Sequence, residues 1–108
     1  MYEAGDLLKS GRVSVAAASS GANTLVSAVT GKRIRVTSCV LTSNGTVNAK
    51  FQSDSTDISG LFYELQATGF TMPHNPNGWV ETAIGGALNL NLSAAIAVGG
   101  ILNYQEVS

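Results

Sequence analysis

A chain of 108 residues has room for one domain and one hydrophobic core. It is 44% hydrophobic but only 12% charged, about half the usual share of ionic side chains, and its formal net charge is −1. A near-neutral chain lacks the electrostatic footprint of a nucleic-acid-binding protein, so no nucleic-acid partner is expected.

So little charge on so small a domain suits a surface that meets other protein rather than water, which predicts self-association. A neutral surface rich in Ser, Thr and Asn is the other reading of the same numbers. Met1 to Asp6 have neither a basic start nor an apolar run, so they do not read as a secretory signal. No stretch reaches the roughly 20 apolar residues of a membrane-spanning helix, because residues 83–101 are broken by Asn, Ser and Gly. The chain is therefore expected to be made in the cytosol, with no membrane partner.

In chain order, residues 1–11 are predicted to be an N-terminal arm. Tyr2, Leu7 and Leu8 are its apolar points in a polar, glycine-punctuated segment. Such an arm either docks on a neighbouring subunit or frays in solvent. Residues 12–108 are predicted to form a single β-sandwich domain. No window shows the three- and four-residue apolar spacing of a helix, whereas short alternating runs recur between Gly, Asn, Asp and Pro.

The predicted strands are 12–18, 24–29 and 32–43. In the last of these, Ile34 and Val36 alternate with Arg33 and Arg35, which puts both cations on one face. Asn44-Gly45 tolerates positive φ and predicts a tight hairpin into a strand over 46–52. Val47, Ala49 and Phe51 would there face the core, with Asn48 and Lys50 outward. Residues 53–60 carry Asp54, Ser55, Asp57 and Ser59, which is loop chemistry, and 61–65 is a further strand.

Residues 70–78 contain Pro73 and Pro76, neither of which can donate to a ladder, so this stretch is expected to be a connection or a sheet edge. Strands over 79–83, 87–92 and 94–104 complete the set. Leu88, Leu90 and Leu92 alternate with Asn89 and Asn91, and Gly99-Gly100 predicts a bulge or a close backbone approach. About eight short antiparallel strands without substantial helix predict an all-β sandwich, specifically a jelly roll, with an immunoglobulin-like sandwich as the competitor.

The chemistry of catalysis is sparse. His74 is the only histidine and Cys39 the only cysteine, so multi-histidine metal sites and internal disulfides are excluded. Cys39 lies among apolar neighbours in a strand and reads as a buried thiol rather than a nucleophile. Asp54 and Asp57 lack the spacing of a calcium loop and read as solvated turn residues. No phosphate-cradling or dinucleotide glycine pattern occurs. The expectation is a non-enzyme with no cofactor and no metal. Trp79, the single tryptophan, either anchors a partner or seals the core, and core packing is the favoured reading. The candidate attachment residues are Tyr2, Leu7, Leu8, His74 and Trp79.

Several phrases in the second half carry a resemblance. Val47-Asn48-Ala49-Lys50-Phe51-Gln52-Ser53 runs into Thr56-Asp57-Ile58-Ser59-Gly60. Pro73-His74-Asn75-Pro76-Asn77-Gly78-Trp79 follows, then Glu81-Thr82-Ala83, Ala87-Leu88-Asn89-Leu90-Asn91-Leu92-Ser93 and Val98-Gly99-Gly100. Over residues 31–104 the chain resembles small jelly-roll virion proteins of tailed bacteriophages, including head decoration (cement) proteins. The resemblance implies a homotrimer that sits on the capsid surface, contacts the major capsid protein and stabilises the shell. It also implies synthesis in the host bacterial cytoplasm. The same fold serves tail, fibre and spike components that bind a host receptor or glycan, which is the alternative.

Overall fold

In a computed structural model, which describes residues 9–64 and 68–108, all regular structure is β. The strands are β1 (Lys9–Ala17), β2 (Gly21–Val26), β3 (Arg33–Ser43), β4 (Val47–Ser53), β5 (Thr56–Asp57), β6 (Phe62–Glu64), β7 (Gly69–Met72), β8 (Val80–Glu81), β9 (Leu88–Leu92) and β10 (Val98–Val107). They form two antiparallel sheets packed as a β-sandwich. The first has the order β1-β10-β3-β7, with β8 also on β3; the second has the order β2-β9-β4-β5, with β6 also on β4.

The pairing is nested. β1 pairs with β10, β2 with β9, β3 with β7 and β8, and β4 with β5 and β6. The chain thus runs out through β1–β4 and returns through β5–β10, crossing between sheets as it goes. β5 and β6 are two pieces of one interrupted edge on β4, and β7 and β8 are two pieces of another on β3. These interruptions account for ten segments where the sequence predicts eight.

The period-two pattern explains what each sheet buries. Val15, Ala17, Ile34, Val36, Leu41 and Leu102 point inward from the first sheet, and Val47, Ala49, Phe51, Leu88, Leu90 and Leu92 from the second. Each such Val, Ile, Leu or Phe side chain contributes roughly 1.5–3 kcal/mol by leaving water, and each Ala less. The three phenylalanines span the gap between sheets. Phe51 meets Phe62 edge-on, with ring centroids 6.1 Å apart, and Phe62 stacks on Phe70 of the first sheet at 4.4 Å. A polar tie reinforces the join, since the Ser53 hydroxyl at the end of β4 accepts a hydrogen bond from the Ala83 amide beyond β8.

Three expectations need correction or adjustment. Asn44-Gly45 makes no hairpin: β3 lies in the first sheet and β4 in the second, and neither Asn44 nor Gly45 has positive φ. The Asn44 amide instead donates to the Ala97 carbonyl at 2.8 Å, fastening a crossing between sheets. Both neighbour positions of β3 are taken by β10 and by β7/β8, so β4 reaches the shared core only from the opposite layer. Strand limits also shift. β1 begins at Lys9, so Lys9 to Gly11 of the predicted arm are strand, and β10 runs from Val98 to Val107 rather than from residue 94 to 104. Finally, Asn89 is buried despite its outward parity, with its Nδ2 donating to the Asp54 carbonyl.

Cys39 is buried, as its neighbours predict, and burial pushes its thiol up to about 11 against a small opposing effect of a hydrogen bond with the Met72 backbone. The folded state therefore favours the neutral thiol. Its contribution to stability is complete below about pH 9 and is lost as pH rises from there through about 11. A thiol reagent at pH 8 is expected to leave the native chain unmodified and to label it fully in denaturant. Rapid labelling of the native chain would contradict this burial.

Candidate attachment surface

The stretch between β7 and β8 bulges out of the edge of the first sheet and is tightly braced. Cys39 pairs with Met72 and Val36 with Val80, so the intervening residues span only the short length of β3 from Val36 to Cys39. Pro73 and Pro76 interrupt the ladder because neither has an N–H to donate. The Asn75 amide donates to the Thr37 carbonyl at 2.9 Å and the Trp79 amide to the Val36 carbonyl at 2.8 Å, which stitches the loop to β3 at two points.

Within the loop, Asn75 acts as the brace. Its Oδ1 accepts from the Asn77 amide at 3.0 Å, and its carbonyl accepts from the Gly78 amide at 2.9 Å. Gly78 has φ +85 and lies over Arg35, where an added Cβ would sit 2.4 Å from Arg35 Cγ. Arg35 is itself held by Glu81, its Nε donating to Oε1 at 2.8 Å, which explains one cation of the predicted basic row by an ion pair.

Trp79 is not a core residue. It is 45% exposed, and its Nε1 donates to the Pro73 carbonyl at 2.7 Å, so the indole closes the loop from outside. The reason is parity. Val80 packs against the core from β8, which leaves Trp79 and Glu81 on the outer side beside Arg35. His74 is also exposed, between the two prolines. The structure therefore places His74 and Trp79 on one hydrogen-bonded loop, both exposed. Tyr2, Leu7 and Leu8 lie outside the described residues.

The sequence did not reveal the surface beside this loop. Val40 and Ile101, register partners on β3 and β10, face outward and are 48% and 51% exposed. With Met72, Pro73 and Thr71 they line a shallow groove of about 310 Å³ that reaches the loop at Pro73. At its far side Asn103 Nδ2 donates to Ser38 Oγ at 2.8 Å. The available signal was an apolar residue at the wrong parity in each strand, Val40 between Cys39 and Leu41 and Ile101 beside Leu102. Only the register shows that the two are adjacent.

The acidic turn is occupied by structural work. Asp54 has φ +54 and accepts the Ala87 amide at its carboxylate. Hydrogen bonds from Gln52 and Lys50 hold the Asp57 carboxyl below its usual range. Among the described residues no group of three His, Cys, Asp or Glu side chains is placed to hold a metal ion. No protein-family model matches the chain, and no curated protein matches it.

Proposed function

We propose that this chain is a structural, non-enzymatic bacteriophage virion protein, a head decoration protein that assembles as a homotrimer on the capsid surface and stabilises the shell. The resemblance of residues 31–104 supports the virion reading, and the nested strand pairing is consistent with the jelly roll that the resemblance implies. The observation that carries an assembly role is the outer strip of Val40, Ile101, Pro73 and Trp79 beside His74. Its apolar side chains stand on a sheet and a braced loop, so little conformational entropy is lost when a partner covers them. Exposed apolar groups clustered in this way mark contact surfaces. Three copies acting together turn weak single contacts into firm attachment through effective concentration, with no chemical step.

The test is a copy count in purified particles together with re-attachment of the recombinant chain to particles stripped of it. A decoration protein is present at hundreds of copies, and its removal lowers the temperature at which the genome escapes. Trp79→Ala is expected to weaken re-attachment at least about 30-fold, the size of a hot-spot loss, while the chain keeps a cooperative melting transition. Tens of copies, with the isolated chain competing for host adsorption, would instead favour the tail, fibre or spike reading. Re-attachment unchanged by Trp79→Ala would remove the proposed surface.

A further inference from the structure

The four edges of the sandwich are not alike. The β7/β8 edge is broken by two prolines and a bulged loop. The β5/β6 edge consists of segments of two and three residues, and β2 carries a register shift between Thr24 and Val26. These are the devices by which a sheet prevents an outside strand from adding to it. β1 has none of them. It is nine residues long, free of proline, and paired to β10 from Lys9 to Ala17 without a register shift. Among the described residues its other side has no strand partner. Its two cations do not guard it either. Lys9 sits at the end of the strand, 3.8 Å from Glu106, and Arg12 points to the outer face.

From this contrast we infer that β1 is an interaction edge, and that its partner is β1 of a second copy, paired antiparallel about a two-fold axis at Val13. The charges on β1 are compatible with this partner and register. With Val13 opposite its symmetry mate, Arg12 faces Ser14 of the other copy and Lys9 faces Ala17, so no like charges meet. A shift that centres the axis on Arg12 would set two guanidinium groups against each other. The outer face is otherwise made of Ser10, Ser14 and Ala16, which are small enough for the outer surfaces to join smoothly. On the inner face the Tyr104 ring covers Gly11, leaving no gap at the glycine of an exposed strand. The product is a continuous eight-stranded layer counted by full-length positions, four from each copy, and the contact is closed. Where copies are also grouped in threes, it links one trimer to the next.

The test uses the purified full-length chain. Val13→Cys is expected to give a disulfide-linked dimer on mild oxidation, with the parent as blank because its only thiol, Cys39, is buried. Ser14 is exposed, so its substitution tests the contact without disturbing the core. In sedimentation, Ser14→Lys, which opposes Arg12 of the other copy, should weaken pairing about five-fold, and Ser14→Glu should strengthen it about five-fold. Equal association of the Ser14→Lys and Ser14→Glu chains would overturn the inference. So would a Val13→Cys chain whose introduced thiol reacts with a thiol reagent yet forms no linked dimer. The contact is independent of the virion reading. Pairing through β1 in a chain absent from particles removes only that reading, and abundant copies in particles without pairing remove only this inference.

Discussion

Phe51→Ala is expected to destabilise the fold by about 3–5 kcal/mol, the range for a buried aromatic side chain truncated to a methyl group. Phe51 is fully buried at the middle of β4, opposite Leu90 of β9. Its loss would remove the edge-on contact with Phe62, and Phe62 is the ring that stacks on Phe70 of the other sheet. The ladder to β9 on one side of Phe51, and the bonds of its backbone to the Ile58 amide and the Ser59 hydroxyl on the other, hold β4 in place, so the sheets do not close over the vacated volume. A domain of this size has about 5–15 kcal/mol of stability in total, so a single substitution removes a large share. Denaturant unfolding should show a lower midpoint at an unchanged slope. Tyr63→Ala, at a residue 76% exposed on the adjacent edge, should shift stability by less than about 0.5 kcal/mol. A Phe51→Ala chain within about 1 kcal/mol of the parent would show that the sheets are not joined through this ring.

Gly100→Ala is expected to be at least as damaging, through the backbone rather than the core. β10 lies between β1 and β3, and Gly100 is paired on one side with Val15 and on the other with Leu41. A Cβ at Gly100 would lie 1.8 Å from the Val40 carbonyl oxygen and 2.8 Å from its carbon, and φ there is +152. Neither neighbour is a flexible side-chain tip, so β10 must move away from β3 and break ladder bonds in the centre of the sheet. The expected loss is more than about 4 kcal/mol, seen as failure to accumulate soluble, cooperatively melting protein. Gly21→Ala is the control. Gly21 also has positive φ, at +88, but an added Cβ there meets nothing within 4 Å, so only the backbone cost of about 1–2 kcal/mol applies. Equal effects at the two positions would mean that φ, not the approach of β3, is what Gly100 satisfies.

Both predictions rest on features the sequence carries unequally. Phe51 could be placed in the core from its neighbours alone, since Val47, Ala49 and Phe51 share a parity against Asn48 and Lys50. Gly99-Gly100 signalled a close approach, but not that the Val40 carbonyl makes it. The candidate surface divides in the same way. Two prolines flanking His74-Asn75 announced an interrupted edge, so the loop was predictable. The exposure of Trp79 was not, because it depends on Val80 taking the inward position at the point where β8 rejoins β3.

The alternation of side chains along this chain determined by itself that it is all-β, where most strands lie, and which of their residues meet the core. Those properties follow from the two-residue period of a strand and from turn chemistry, both local. The tertiary structure alone decided that β3 and β4 belong to different sheets, that Val40 and Ile101 form one outward strip, and that among the described residues β1 is the long edge strand paired without a register shift. Each of these depends on which strand occupies the neighbouring place in a ladder. That choice is made by main-chain hydrogen bonds, which are the same for every residue type but proline, so the side chains of a single segment do not encode it.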